Sequence, residues 1–301
     1  MAETLELVEV SPRDGLQNEP DIVSTRDKLA LIERIIGAGF RRLEAASFVN
    51  PKKVPQMADG DAVFAGLATV RDKARFIALA LNPRGVERAL AAGAREINYV
   101  FCASDGFSIR NNGAAVTETF AAWPQVAALA RQGGARLSAT ISTAFGCPFD
   151  GEVSLRRVVE VAEKCAREDI FELALADTIG VAAPSDVRER FRAVKAAIPA
   201  QVQLRAHFHN TRNTALANAV SAVDEGVRVL DGSLGGIGGC PFAPGAAGNV
   251  PSEDLAYMFA RMGFDTGVDL NAAIEAARFI GAVLGRPTPG MVSRAPKWPK
   301  R

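Results

Sequence analysis

Hydrophobic residues alternate along the chain between short continuous apolar runs and longer stretches in which they recur every three or four positions. Short runs are typical of buried strands, and the longer spacing is typical of amphipathic helices. Eight strands are predicted, at Leu5–Val10, Arg42–Ala46, Arg75–Leu81, Glu96–Phe101, Arg136–Ser142, Ile170–Ala176, Val202–His207 and Arg228–Asp231. Helices are predicted between them, among others at Arg26–Ala38, Arg84–Ala92, Ser154–Arg167, Ser185–Ala197 and Thr214–Glu225.

The regular alternation of strand and helix predicts an α/β protein with a parallel sheet. Eight such units over about 250 residues match a (β/α)8 TIM barrel, to which Leu270–Leu284 adds an extra C-terminal helix. A doubly wound open sheet is the alternative, and it is less favoured because no GxGxxG motif follows the first strand. We predict a single catalytic domain over residues 1–301, with the barrel over about 5–262 and the helix and tail over about 270–301.

Composition and charge exclude several classes of partner. Of the 301 residues, 48% are hydrophobic and 23% charged, as in ordinary globular proteins. The 35 basic and 34 acidic residues leave a formal charge of +1, so no overall field attracts nucleic acid or a membrane surface. Four cysteines without a CxxC pattern predict reduced thiols, and the first residues lack the features of a leader. We expect a cytoplasmic protein, with a homodimer compatible with these features.

Polar residues that follow the predicted strands are the candidates for chemistry, because TIM-barrel sites lie at the carboxyl ends of the strands. His207 and His209 are the only histidines, and at this spacing on a strand both imidazoles face the same side. Asp14 is the best-placed carboxylate, and Asn249, which ends a glycine-rich segment, could add an amide oxygen. This set predicts a Mg²⁺, Mn²⁺ or Zn²⁺ site. The alternatives are a pair of hydrogen-bonded interior histidines, or a non-haem iron site. Asp14 could instead be a helix N-cap or form a loop salt bridge with Arg13, and Asn249 could be a turn residue or an N-cap.

Two further carboxylates, Glu44 and Asp177, fall on or after core-forming strands. A buried charge needs a partner, and Arg13 is the natural one for both. The resulting network either stabilises the fold or directs the guanidinium at a substrate oxyanion. Cys240 stands beside several glycines in a predicted mobile loop that could close over a ligand. Its thiol is either chemically active or incidental.

Three long motifs, in this order, resemble those of the 3-hydroxy-3-methylglutaryl-CoA (HMG-CoA) lyase family. They read VEVSPRDGLQNE from Val8, SFVNPKKVPQM from Ser47 and GGCPFAPGAAGN from Gly238. The likeness extends over about Leu7–Leu284. The wider superfamily includes isopropylmalate and homocitrate synthases, which share the Arg-Asp-Gly and HxH elements.

The resemblance implies a TIM barrel that cleaves HMG-CoA to acetyl-CoA and acetoacetate by a metal-assisted retro-Claisen reaction, as in leucine degradation. An acyl-CoA substrate and a divalent metal ion, with Mg²⁺ or Mn²⁺ favoured and Zn²⁺ as a further candidate, are implied with it. By position it implies metal ligands at Asp14, His207, His209 and Asn249, an enolate-stabilising Arg13, a proton-donating Cys240, supporting carboxylates at Glu44 and Asp177, and substrate contacts at Gln17, Ser47 and Thr178.

The chain departs from the family pattern in two places. After His209 the family usually continues Asp-Thr-Tyr-Gly, whereas Asn210–Asn213 reads Asn-Thr-Arg-Asn here. The segment Asn111–Ala115 lacks the usual Asn-Cys-Ser. Arg212 adds a cation that could select another acyl group, so citramalyl-CoA or a longer 3-hydroxy-3-alkylglutaryl-CoA are alternative substrates. A condensing synthase and a non-catalytic metal-binding barrel are the alternatives from other classes, but the former usually carries a regulatory domain that the short segment after Leu284 does not predict.

Overall fold

Eight parallel strands form a closed barrel in the computed structural model, which describes residues 2–239 and 248–296. The strands are β1 (Glu6–Glu9), β2 (Arg42–Ser47), β3 (Arg75–Ala80), β4 (Glu96–Cys102), β5 (Arg136–Ser142), β6 (Glu172–Asp177), β7 (Gln203–Phe208) and β8 (Val229–Gly232). Each strand pairs with the next along the chain, and β8 pairs with β1 to close the barrel. The predicted (β/α)8 TIM barrel is therefore confirmed.

Helices follow the strands and cover the outside of the barrel. In the described part of the chain they are α1 (Thr25–Gly37), α2 (Gly60–Gly66), α3 (Pro83–Ala91), α4 (Asp105–Asn111), α5 (Val116–Thr119), α6 (Trp123–Gln132), α7 (Leu155–Cys165), α8 (Pro184–Ala197), α9 (Ala215–Asp224), α10 (Ser252–Arg261) and α11 (Leu270–Val283). The predicted extra C-terminal helix is α11. Among the described residues, every helix is too short or too polar to cross a lipid bilayer.

Local sequence explains why the helices begin and which face they bury. In α1, the Ser24 hydroxyl accepts a hydrogen bond from the Asp27 N–H at 3.1 Å, which satisfies a free donor of the first turn. Leu31, Ile32 and Ile35 recur at helical spacing and are fully buried against the barrel. The spacing of these apolar residues is what made the helices predictable from the sequence.

The chain leaves β1 through an unusual turn. The sequence predicts a strand up to Val10, but the strand ends at Glu9 and Ser11–Gly15 wind into one π-helical turn. The Val10 carbonyl accepts hydrogen bonds from the Asp14 N–H at 2.8 Å and the Gly15 N–H at 3.2 Å. Single π-turns occur frequently at functional sites, and this one turns residues 13 and 14 towards the barrel mouth.

The inside of the barrel is largely polar. At the amino-terminal end of the strands, buried Arg42 donates from Nε to Glu96 Oε1 at 2.8 Å and from NH1 to Glu172 Oε2 at 2.7 Å. Arg205 NH1 lies 3.3 Å from Glu172 Oε1. Pairing is what makes such buried charges tolerable, since an unpaired one would be costly. A small apolar cluster shares the interior and consists of Val8, Val10, Ile77 and Val229.

Candidate active site

Three side chains of metal-ligand type meet at the carboxyl ends of the strands. His207 Nε2 lies 3.8 Å from Asp14 Oδ2, and His209 Nε2 lies 3.9 Å from the same oxygen. One potential ligand atom from each residue falls within 4.8 Å of the others, a spacing at which they could hold one metal ion. Both histidines are buried and Asp14 is half-buried. The structure thus brings together the three residues that the sequence proposed as ligands.

Backbone pairing explains why these residues converge. His207 lies on β7 and His209 directly follows it, so both imidazoles are on one side of the chain. Beyond β7, the Val250 N–H donates to the Phe208 carbonyl at 3.0 Å and the Asn210 N–H donates to the Gly248 carbonyl at 2.9 Å. These bonds place Asn249 opposite His209.

Asn249 has an amide oxygen that pairs with no described residue. Its Nδ2 donates to Asp14 Oδ2 at 2.8 Å and to the Ile237 carbonyl at 3.1 Å. Its Oδ1 is buried and has no hydrogen-bond partner among the described residues. A buried polar atom without a partner is costly, and a cation at this point would remove that cost. Two imidazoles, a carboxylate and this oxygen therefore fit a divalent metal ion.

The electrostatics of the cluster set the protonation of each candidate ligand. Burial alone would raise the pKa of Asp14, but the Arg13 guanidinium and the two imidazoles lower it to about 2. Burial lowers the pKa of His209 to about 4, which keeps this imidazole neutral at pH 7. For His207, burial opposes the charged form, but the hydrogen bond to Asp231 and the charges of Asp231 and Asp14 together outweigh it and raise the pKa. Neutral imidazole is the form that binds metals.

Arg13 is fixed beside this cluster by two carboxylates. Its Nε donates to Glu44 Oε2 at 2.6 Å, and its NH2 also contacts that oxygen. Its NH1 donates to Asp14 Oδ1 at 2.5 Å. Glu44 is itself held by Asn98, whose Nδ2 donates to Oε1 at 3.0 Å. The predicted Arg13–Glu44 pair is present, and its geometry orients the planar guanidinium.

Asp177 does not pair with Arg13, and the expectation of one network for all three charged residues was wrong. Its two carboxylate oxygens accept hydrogen bonds from the Val181 N–H at 2.9 Å and the Ala182 N–H at 3.0 Å. Asp177 is fully buried, and burial raises its pKa. The backbone of its own loop provides donors a few residues away, so the carboxylate orders that loop.

The residues expected to contact substrate lie around the same opening. Ser47 ends β2, and its buried hydroxyl has no hydrogen-bond partner within the described segments. The Thr178 hydroxyl accepts a hydrogen bond from the Thr143 N–H at 2.8 Å. Gln17 is half-buried in the segment after the π-helical turn. Cys240 lies outside the described residues.

One important neighbour of the site was missed by the sequence prediction. Asp231 Oδ2 lies 3.0 Å from His207 Nδ1. Burial would raise the pKa of Asp231, but the Arg205 charge and the bond to His207 hold it below its ordinary value. Asp231 and Arg205 are both charged residues within predicted strands, and Arg205 stands two positions before His207. A charge in a buried strand was the signal that could have identified them.

Comparison with known proteins places the chain in a family. Residues 4–280 match the HMGL-like family model. The chain belongs to the HMGL-like family. It is 44% identical to (R)-citramalyl-CoA lyase of Chloroflexus aurantiacus, over 99% of this chain and 97% of that protein. It is 41% identical to 3-hydroxy-3-isohexenylglutaryl-CoA/hydroxymethylglutaryl-CoA lyase of Pseudomonas aeruginosa, over 96% of each.

Solved structures agree with this membership. An HMG-CoA lyase from Acinetobacter baumannii, in complex with coenzyme A and 3-methylmalate, superposes with a TM-score of 0.93 at 40% identity, covering 99% of this chain and 97% of that one. The resemblance drawn from the three motifs is confirmed, and so is the classification as a carbon–carbon lyase at the level of the HMGL-like family. The acyl groups named for these HMGL-like relatives differ from one another.

Proposed function

We propose that this protein cleaves HMG-CoA to acetyl-CoA and acetoacetate in a metal-dependent retro-Claisen reaction. The observation that carries the proposal is the convergence of Asp14, His207 and His209 beside the fixed Arg13 guanidinium. Together with Asn249, these three residues would hold the cation, with Mg²⁺ or Mn²⁺ favoured. When bound, the cation supplies Lewis-acid polarisation of the substrate oxygens.

Arg13 is suited to the charge that develops during carbon–carbon cleavage. The departing acetyl-CoA carbon becomes an enolate, whose negative charge resides on the thioester oxygen. A guanidinium has five N–H donors, and the bonds of Arg13 to Glu44 and Asp14 use three of them. The remaining donors can face that oxygen, and Glu44 prevents them from turning away. Preorganised donors of this kind are usually a large part of catalysis.

The other proposed roles follow from chemistry and position. Cys240 would protonate the enolate, because a thiol with an ordinary pKa near 8.5 stays protonated at neutral pH. Ser47 carries a buried hydroxyl without a partner among the described residues, which suits a hydrogen bond to the acyl group. Thr178 and Gln17 would contact the same group, and Asp177 would keep the loop that carries Thr178 in place.

Cleavage of citramalyl-CoA to acetyl-CoA and pyruvate is the second candidate function. It is favoured by the 44% identity to (R)-citramalyl-CoA lyase and by Arg212. Arg212 NH1 donates to the carbonyls of Ile179 at 3.1 Å and Gly180 at 3.0 Å, in the loop that follows Asp177. Burial raises the pKa of Asp177, and the charge of Arg212 opposes that rise only weakly. Citramalyl-CoA is one methylene shorter than HMG-CoA, so its terminal carboxylate would lie at a different distance from the Arg212 guanidinium.

A substrate panel tests both candidates. Metal-free protein is supplied with Mg²⁺ or Mn²⁺, and acetyl-CoA release is measured from HMG-CoA, (R)-citramalyl-CoA and 3-hydroxy-3-isohexenylglutaryl-CoA. We expect the highest kcat/KM with HMG-CoA, acetoacetate as the second product, and no turnover in the presence of a chelator. A higher kcat/KM with citramalyl-CoA, with pyruvate as second product, would replace the first candidate by the second. Condensation without cleavage, or no release from any of the three, would contradict both.

A further inference from the structure

The two histidines of the site differ at the nitrogen that faces away from Asp14. His207 Nδ1 lies 3.0 Å from Asp231 Oδ2, whereas His209 Nδ1 is buried with no hydrogen-bond partner in the described part of the chain. Asp231 lies on β8, next to β7, and its side chain is buried. Among the described residues, a carboxylate therefore orients the imidazole of His207 but not that of His209.

Asp231 is in turn held by a buried arginine. Arg205 Nε lies 3.5 Å from Asp231 Oδ1, its NH1 lies 3.3 Å from Glu172 Oε1, and its NH2 donates to Thr140 Oγ1 at 3.3 Å. Arg205 is therefore placed beside Asp231 by its contacts with Glu172 and Thr140, and it faces Asp231 as an ion pair without a hydrogen bond. The contacts run from the amino-terminal end of the barrel up to His207.

We propose that Asp231 is a positioning residue that keeps the proton of His207 on Nδ1, so that the Nε2 lone pair is directed at the metal site. A neutral imidazole has one N–H and one lone pair, and an acceptor at one nitrogen fixes which is which. Carboxylate partners of this kind orient ligating histidines and make them more basic. The inference rests on the proposed metal site and is independent of the acyl group.

The same contacts connect His207 with Arg13. Thr140 Oγ1 donates to Asn98 Oδ1 at 2.9 Å, and Asn98 Nδ2 donates to Glu44 Oε1 at 3.0 Å. Since Glu44 bonds to Arg13 and Thr140 bonds to Arg205, a continuous series of polar contacts inside the barrel connects Arg13 with the arginine beside Asp231. A substitution at Asp231 should therefore change the orientation of His207 directly, and that of Arg13 only through several intervening contacts.

Nitrogen NMR of the metal-free protein tests the tautomer directly. The chain contains two histidines, so ¹⁵N-histidine labelling gives two imidazoles, which His209→Ala assigns. At about pH 9, above the ordinary histidine pKa of about 6.5, the parent should show His207 mainly with the proton on Nδ1. In Asp231→Asn this population should fall, because the new amide can donate to Nδ1, while the His209 signals stay unchanged. A parent in which His207 carries its proton on Nε2 would overturn the inference without any variant.

Metal affinity provides the second readout. Titration calorimetry with Mn²⁺ should give about 10- to 100-fold weaker binding in Asp231→Asn than in the parent. Glu96→Gln is the matched control, because Glu96 is equally buried but pairs with Arg42 at the opposite end of the barrel. It should lower Tm and leave the Mn²⁺ Kd within about twofold. Equal losses of affinity in both variants would mean that Asp231 acts only on stability.

The two measurements separate this inference from the proposed function. A parent that binds no Mn²⁺ would contradict the metal site, and the NMR measurement would still show whether Asp231 sets the tautomer of His207. Normal Mn²⁺ binding with an unchanged tautomer in Asp231→Asn would contradict the role of Asp231 and leave the metal site intact.

Discussion

Cys240 is the residue whose chemistry can be separated most sharply from its packing. If it donates a proton to the enolate, Cys240→Ser should lower kcat by about 10²- to 10⁴-fold, because serine has a similar shape but is a far weaker acid. Mn²⁺ binding should be retained. Steady-state kinetics and calorimetry on the same sample measure both quantities.

A buried thiol in α7 offers a matched control for this variant. Cys165 is fully buried, and Cys165→Ala should lower Tm by loss of packing while kcat stays within about twofold of the parent. Turnover of Cys240→Ser within a few-fold of the parent, in folded and metal-loaded protein, would remove the proton-donor role and leave Arg13 and the cation as the main catalytic groups.

Arg212 is the residue expected to bias substrate choice. Arg212→Tyr removes a positive charge next to the loop that carries Thr178 and restores the residue usual in the family. We expect the ratio of kcat/KM for citramalyl-CoA over HMG-CoA to fall by about 10-fold, at the low end of what one methylene can contribute to discrimination. Arg192→Tyr, at an exposed arginine paired with Glu225, should leave the ratio unchanged. An unchanged ratio in Arg212→Tyr would remove this residue from consideration.

The candidate ligands were predictable from sequence, but their supporting residues were not. His207 and His209 share a side because of local strand geometry, and Asp14 follows the strand that closes the barrel. The contact between His207 and Asp231 depends instead on how β7 and β8 are aligned, with Ala206 opposite Leu230. Alignment between strands follows from packing of the whole barrel, so residue types and spacing do not specify it. Asp177 shows the same limit, because the pattern indicated that it needed a partner without indicating which one.

Among the elements, the first turn of α10 joins segments that are distant in sequence. The Ser252 hydroxyl donates to Glu9 at the end of β1. Glu253 Oε2 accepts the Gly235 N–H at 2.9 Å, at the start of the glycine-rich segment. Asp254 accepts two backbone N–H groups of the C-terminal segment. This helix start therefore holds Gly235, at the beginning of the described segment 235–239.

Two buried carboxylates, Glu253 in the first turn of α10 and Glu9 beside it on β1, should make the free energy of unfolding fall as pH rises. Burial raises the pKa of Glu253 to about 8 and that of Glu9 to about 7, against an ordinary 4.5. Between the ordinary and the raised values the folded protein binds more protons than the unfolded chain, so the free energy of unfolding decreases with pH. Each group contributes at most about 1.4 kcal/mol per pH unit. Glu253→Gln should make the dependence shallower between about pH 5 and 8, as measured by urea unfolding.

An exposed glutamate gives the control for this pH dependence. Glu275 in α11 is paired only at the surface, and Glu275→Gln should leave the slope of the parent unchanged. An equally steep slope in Glu253→Gln would show that another group is responsible.

The sequence predicted the strands much better than the turn that follows the first of them. Strand boundaries agree within one or two residues, because continuous apolar runs end where the chain leaves the core. The π-helical turn over Ser11–Gly15 was not predicted, since five residues are too few to show a period. That turn nevertheless positions Arg13 and Asp14. A segment that is essential to the site thus had no hydrophobic periodicity from which its structure could be predicted.

At the scale of the whole molecule, cation binding should stabilise the barrel. A ligand that binds only the folded state at about 100 times its Kd adds about 2.7 kcal/mol to the free energy of unfolding. We expect Mn²⁺ to raise Tm by several degrees in a concentration-dependent manner, as measured by differential scanning calorimetry. His209→Ala should fold and show no such rise, since its remaining side chains no longer surround the ion. A rise of equal size in His209→Ala would place the binding elsewhere.

The barrel as a whole was predicted by the number of alternating units, whereas its polar interior was not. Arg42, Glu96 and Glu172 stand at the first positions of β2, β4 and β6. Closure of the barrel turns all three inward and buries them together. Burial of a charge is decided by the tertiary fold, so only the closed barrel identifies its partners.

Because β8 pairs with β1, the candidate metal site is complete only when the two ends of the barrel have met. Metal binding can therefore be used to follow closure of the barrel during folding. Asp14 and Asn249 are 235 positions apart along the chain, yet their side chains are hydrogen-bonded across the seam. Closing so long a loop is entropically unfavourable until the intervening strands have assembled, so this contact should form late. In a refolding experiment, Mn²⁺ uptake should consequently lag behind the recovery of helical circular dichroism. Simultaneous recovery of both signals would show instead that the two ends of the chain meet early.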